Sequence, residues 1–141
     1  MFKFRYPAFV TSNGEGGSSI AFRDIPEAIS EAWADEDILE IATDALITAI
    51  DFYIEDQRKL PEPSEQKDGE IMVELPISIA CKVTLLNCMV ENNIRPVDLA
   101  KKMGTTPQTV NRILNLRHNT KIDTLGNAFK ALGKELVLRV E

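Results

Sequence analysis

The sequence has little with which to hold a metal: one histidine, His118, and two cysteines, Cys81 and Cys88, in 141 residues. The cysteines lie seven apart on a predicted helix, hence on one face, and read as buried thiols of a core. A zinc site built on them needs two more ligands, and His118 is the only histidine. Zinc, haem and histidine-based proton transfer are poorly supported, and neither a metal nor a cofactor is expected. Also lacking is any run of about 18 apolar residues, the minimum for a membrane-spanning helix. The opening stretch, with Lys3 and Arg5, has no apolar core of a leader peptide. A cytoplasmic protein with no membrane partner is the expectation.

Positive charge is scarce overall. The net charge is −6 and the isoelectric point about 4.9, which alone argues against nucleic acid. The charge is divided, however. Residues 1–76 hold 6 Lys/Arg against 17 Asp/Glu, net −11, and residues 77–141 hold 10 against 5, net +5. Such asymmetry predicts two domains, 1–76 and 77–141, with different partners: something basic for the first, an anion for the second.

The basic half contains the stretch Ile94 to Leu116. A helix-turn-helix needs a small residue where its helices cross, Gly where the first helix ends at positive φ, and an apolar residue that pins the second helix. Ala100, Gly104 and Val110 meet those needs at the right spacing. Pro96 suits the first turn of one helix, and Thr106-Pro107 reads as an N-cap followed by Pro at the first helical position of the next. Leu99, Met103, Val110, Ile113 and Leu114 supply the buried side. The plainer reading is an ordinary helical hairpin, but spacing, caps and outward polar residues agree on the motif.

With Val110, Ile113 and Leu114 inward, Gln108, Thr109, Asn111, Arg112 and Asn115 remain as base-reading candidates. Gln and Asn can pair bidentately with adenine and Arg with guanine, at about 1–3 kcal/mol of discrimination each. Thr106, at a helix N-terminus, and Arg117, His118, Asn119 and Lys121 in the next loop are candidates for the DNA backbone. Taken singly, each is as well read as a solvated polar residue; as a set they fit DNA.

In chain order, residues 2–10 alternate like a strand, with Pro7 suggesting an edge. A Gly-rich turn at 13–17 leads to a returning strand over 18–23, and 28–33 reads as a third. A helix follows, capped by Asp35, with Ile38, Ile41, Ala42, Ala45, Leu46, Ala49 and Tyr53 as its apolar stripe and an end near Arg58-Lys59. Residues 61–70 read as a loop and 71–75 as a strand, so this half is βββαβ. Pro76 is the expected hinge. Ser78 can cap a helix carrying Ile79, Val83, Leu86 and Val90. Thr120 can cap a last helix that buries Ile122, Leu125, Ala128, Phe129 and Leu132 and stops at Gly133. Residues 136–140 alternate as a short strand. A lone strand needs a partner, and Leu136, Val137, Leu138 and Val140 are the dimerisation candidates, through pairing with a second copy.

This order of pieces resembles the HicB antitoxins of bacterial HicA–HicB toxin–antitoxin pairs, in the subgroup with a helix-turn-helix. The resemblance rests on Tyr6-Pro7-Ala8, the Gly-rich hairpin, Phe22-Arg23-Asp24-Ile25-Pro26 and Leu60-Pro61-Glu62-Pro63-Ser64. In the basic half it rests on Leu75-Pro76, Lys82, Asp98 to Gly104, Lys121-Ile122-Asp123 and Ala131 to Lys134. Glu31-Ala32-Trp33 departs from the family, where a Thr/Gly-bearing turn is expected. The resemblance implies an α+β protein: a partial RNase H-like βββαβ domain, then an all-α helix-turn-helix domain with a short C-terminal strand.

It also implies an antitoxin that neutralises HicA, a small basic RNA-cleaving toxin, and represses its own operon by binding operator DNA. The expected assembly is a homodimer or a dimer of dimers. RNase H-like enzymes hold two metals with clustered carboxylates, but Asp24 reads more simply as a turn residue and Asp35, Glu36 and Asp37 as a helix start. No catalytic residue and no enzyme activity are expected. The alternative is a free-standing repressor with an N-terminal ligand-sensing domain.

Overall fold

A computed structural model describes residues 4–141. Phe2 and Lys3, expected to open the first strand, lie outside the described residues. The chain divides into two compact units. One runs to Tyr53 and adds Leu60–Pro76; the other combines Ile54–Lys59 with Ile77–Glu141.

The first unit contains β1 (Arg5–Ser12), β2 (Gly17–Phe22), β3 (Ile29–Trp33), all but the last two residues of α1 (Ile38–Glu55), and β4 (Glu70–Glu74). The strands form one antiparallel sheet in the order β3-β2-β1-β4. The period-two alternation directs Tyr6, Ala8, Ile20, Phe22, Ala32 and Val73 to one face, and all are buried. Ala42, Leu46, Ala49, Ile50 and Tyr53 of α1 complete that core. Gly17 is required by a close approach: a Cβ there would lie 2.6 Å from the Ala32 carbonyl oxygen.

Two expectations are corrected here. β1 is not an edge but an inner strand, paired with β2 and β4. Pro7 is tolerated because β2 ends opposite Ala8, so no partner in β2 needs the missing N–H. The helix cap is Asp37 rather than Asp35: its Oδ1 accepts from the backbone N–H of Leu39 at 2.9 Å and of Glu40 at 3.3 Å. Glu36 turns back to accept from Trp33 N–H at 2.9 Å.

The second unit contains α2 (Ile77–Glu91), α3 (Pro96–Met103), α4 (Pro107–Leu114) and α5 (Ile122–Ala131). α2 meets both α4 and α5, so its buried set widens to Ile79, Lys82, Val83, Leu85, Leu86 and Met89, while Val90 is half-buried. Cys81 and Cys88 are half-buried thiols rather than core residues. Burial pushes both thiols up from the usual cysteine range. Ile122, expected inside, is half-exposed at the start of α5.

The strand expected at Leu136–Val140 is not formed: no strand is assigned after α5. A strand exists only through ladder hydrogen bonds to a neighbour. None of the described strands pairs with this segment.

Candidate nucleic-acid interface and the anchored loop

α3 and α4 reproduce the helix-turn-helix cap by cap. Pro96 opens α3, and Asp98 accepts from the Arg95 N–H at 3.0 Å while the Arg95 guanidinium holds it. This pairing keeps the Asp98 carboxyl below its usual range. α3 ends at Gly104 in the left-handed region, φ 68° and ψ 35°, where the Thr105 N–H reaches the Ala100 carbonyl at 2.9 Å. Thr106 Oγ1 then accepts from the Thr109 N–H at 3.2 Å, with Pro107 at the first position of α4. Leu99, Ala100, Val110, Ile113 and Leu114 are buried.

That core fixes what α4 presents. Gln108, Asn111, Arg112 and Asn115 are exposed, and the adjacent Asn111 and Arg112 each stand three or four residues from Gln108 and from Asn115, so the four form a single stripe. Thr109 is half-buried, its hydroxyl 3.1 Å from that of Thr106. Both threonines thus build the cap, and Thr106 is exposed at the end of α4 where backbone N–H groups point outward. Asn115 lies just past α4, and its Oδ1 accepts from the Arg117 N–H at 2.9 Å. Arg117, His118, Asn119 and Lys121 are exposed in the loop before α5.

One residue that carries this arrangement was not singled out for a role by sequence reasoning. Lys82, 1% exposed, sends its ammonium from α2 into the α4–α5 loop. It donates to the carbonyls of Asn115 at 2.6 Å and His118 at 2.7 Å, and to the Thr120 hydroxyl at 2.8 Å. Three donors meet three oxygens, as a buried lysine requires. Burial pushes its pKa down from the usual lysine range. Thr120 therefore does not cap α5: its oxygen serves Lys82 and stands 3.1 Å from His118 Nδ1, and Lys121 occupies the cap position. The signal in the sequence was that Lys82 is the only charge between Ile77 and Val90.

In the first unit the residues that carry the family resemblance tie down the long loop after α1. Leu60 is buried, and the Tyr6 hydroxyl donates to the Pro61 carbonyl at 2.7 Å. Burial raises the Tyr6 pKa above the usual phenol range. The Asp24 carboxylate accepts from Ser64 twice, from its N–H at 2.8 Å and its hydroxyl at 2.5 Å. Arg23 forks onto Glu70 at 2.9 and 3.1 Å and also reaches the Glu65 carbonyl. This pairing holds the Glu70 carboxyl below its usual range. Asp24 is thus a loop anchor, and Asp37 caps α1. Among the described residues no three His, Cys, Asp or Glu side chains form a cluster that could hold a metal. No described helix is long and apolar enough to cross a membrane.

Comparison with known proteins gives two matches that meet within α2. Residues 5–84 match the family described as HicB-like antitoxin of bacterial toxin–antitoxin systems, and residues 85–138 match a helix-turn-helix family. Antitoxin HicB 2 of Photorhabdus laumondii is 48% identical over 134 residues, covering 95% of this chain and 94% of the relative. Antitoxin HicB of Escherichia coli K12 is 44% identical, covering 95% of this chain and 97% of the relative. Antitoxin HicB of Pseudomonas fluorescens is 29% identical, covering 89% and 87%. These relatives are named as antitoxins, not as enzymes. The chain belongs to the HicB-like antitoxin family and carries a helix-turn-helix domain.

Proposed function

We propose that this chain neutralises a small, basic, HicA-type RNA-cleaving toxin and represses its own operon by binding operator DNA. Residues 1–76 serve as the toxin-binding domain. Their three antiparallel strands, helix and returning strand support a partial RNase H-like reading. Residues 77–141 bind DNA and join two copies. The observation that carries the proposal is a pairing within one chain. A net +5 half presents the Gln108–Asn111–Arg112 stripe on a capped α4, beside a net −11 half suited to a basic nuclease.

In this reading Gln108, Thr109, Asn111, Arg112 and Asn115 read bases. Thr106, Arg117, His118, Asn119 and Lys121 hold phosphates. One helix-turn-helix makes a short contact, so specific binding takes two related by a two-fold axis. Leu136–Val140 supports the pairing: Val137, Leu138 and Val140 are 74%, 73% and 98% exposed. Two recognition helices then lie about 34 Å apart on a palindromic operator, in the cytoplasm.

Gel shifts with DNA upstream of the chain's own gene test the DNA arm. Arg112→Ala is expected to cost about 1–3 kcal/mol per contact and relax base preference at one position in each half-site. Lys121→Ala is expected to weaken all DNA alike and flatten the salt dependence. Unchanged preference in Gln108→Ala, Asn111→Ala and Arg112→Ala would assign base reading to another face.

A further inference from the structure

One of the two edges of the sheet in the first unit is β3, the other being β4. β3 pairs with β2 on one side only, so the outward backbone N–H and C=O groups from Ile29 to Ala32 have no described strand beside them, while at Trp33 both groups are taken by Glu36. Natural edges are usually blunted by proline, a bulge, inward-pointing charge or a covering element. β3 has neither proline nor an inward-pointing charge, and its outer face carries Ile29, 70% exposed, and Trp33, 49% exposed, on either side of Glu31. Ser30 and Ala32 point to the other face, toward α1.

Between this edge and α1 runs a groove of about 280 Å³, lined by Ser30, Ile41, Thr48 and the half-exposed Phe52, with Glu27 and Asp44 at its sides. Its charge has one sign. No Lys or Arg occurs between Arg23 and Arg58. On α1, Glu40, Asp44, Asp51 and Glu55 recur at helical spacings that carry the acid past both ends of the groove. The edge therefore combines backbone groups without a neighbouring strand, exposed apolar side chains and a run of acidic residues.

We propose that β3 is the docking edge for the toxin, which adds an extended basic segment as a fifth strand. The inference rests on the antitoxin reading given above and names its surface. Main-chain hydrogen bonds to β3 supply the register. Side chains that alternate along the added strand fall in turn into the Ile41–Phe52 groove, where Lys or Arg meets Asp44 and Glu27, and onto the outer face beside Ile29 and Trp33.

Hydrogen exchange of the full chain, with and without purified toxin, tests this, together with toxin affinities of Ile29→Lys, Asp44→Lys and the far-edge control Glu74→Lys. Ile29 and Asp44 are exposed, and far-UV circular dichroism checks that the variants fold. The expected result is slowed exchange at amides 29–33 on toxin binding. Ile29→Lys and Asp44→Lys should weaken binding about tenfold or more, and Glu74→Lys should bind as the parent does. Toxin bound with no protection at 29–33, and at parental strength by both variants, would overturn this surface and leave the antitoxin reading standing. Protection of 29–33 in the chain alone that grows with its concentration would give the edge to a second copy and overturn the assignment. Failure of the parental chain to bind toxin at all would overturn the antitoxin reading itself.

Discussion

Lys82 reaches from the buried middle of α2 to the Asn115 carbonyl, 2.6 Å away, at the end of the helix that carries the candidate base-reading stripe. A cation at a helix C-terminus is favoured by the helix dipole. The same ammonium holds His118 and Thr120, so one side chain fixes the path of the α4–α5 loop.

Lys82→Met keeps much of the volume and removes all three donors. Leaving a buried acceptor unpaired costs about 1–3 kcal/mol. Urea unfolding should therefore show a loss of that order. Operator affinity measured well below the melting temperature should also fall, because Arg117, His118 and Asn119 are no longer held in place. Parental affinity in a folded Lys82→Met variant would show that the loop conformation does not matter to DNA.

Asp24 anchors the loop after α1 through Ser64, across forty residues of sequence. Asp24→Ala removes both acceptors. It should destabilise the protein by about 1–3 kcal/mol and speed proteolytic cleavage within residues 61–69. Tyr6→Phe removes only the bond to Pro61 and should cost about 1 kcal/mol. Equal resistance of parent and Asp24→Ala to limited proteolysis would contradict the anchor.

Glu70 gives a pH dependence with a definite sign. Its carboxyl is held below the usual range by Arg23, so the folded state releases this proton more readily than the unfolded chain. The stability linked to it is present above about pH 4.3, the ordinary glutamate value, and is lost as pH falls through the lower folded value. Glu70→Gln should flatten that acid limb. Urea titrations between pH 3 and 7, read on the single tryptophan Trp33, would show it.

The C-terminal segment should be needed for DNA binding but not for folding of the second unit. Deleting residues 135–141 removes the exposed Val137, Leu138 and Val140 while leaving α2–α5 in place. Sedimentation should then report a smaller assembly, and gel shifts should lose the specific complex. A truncated chain that keeps both would place the dimer contact elsewhere.

The helix-turn-helix was legible because its signals are local. Gly104, Thr106 and Pro107 act within one turn of their own position, and each does what its residue type suggests. The βββαβ order was legible through alternation and the α1 stripe. Strand adjacency was not: Pro7 suggested an edge, and only the length of β2 explains its place inside the sheet. Asp35 and Asp37 are equally good caps by type, and the structure chooses the one whose carboxylate meets Leu39 and Glu40. Lys82, Asp24 and Arg23 owe their roles to partners 33 to 47 residues away, which no local pattern announces. The segment 136–140 has a strand's alternation, but a strand is a property of two segments.

The function proposed for this chain is to silence a ribonuclease. Its most direct test is cleavage of a labelled RNA by the purified HicA-type toxin, titrated with the full chain. The expected result is loss of cleavage at stoichiometric amounts of chain, with no cleavage by the chain alone. Undiminished cleavage in the presence of excess chain would contradict it.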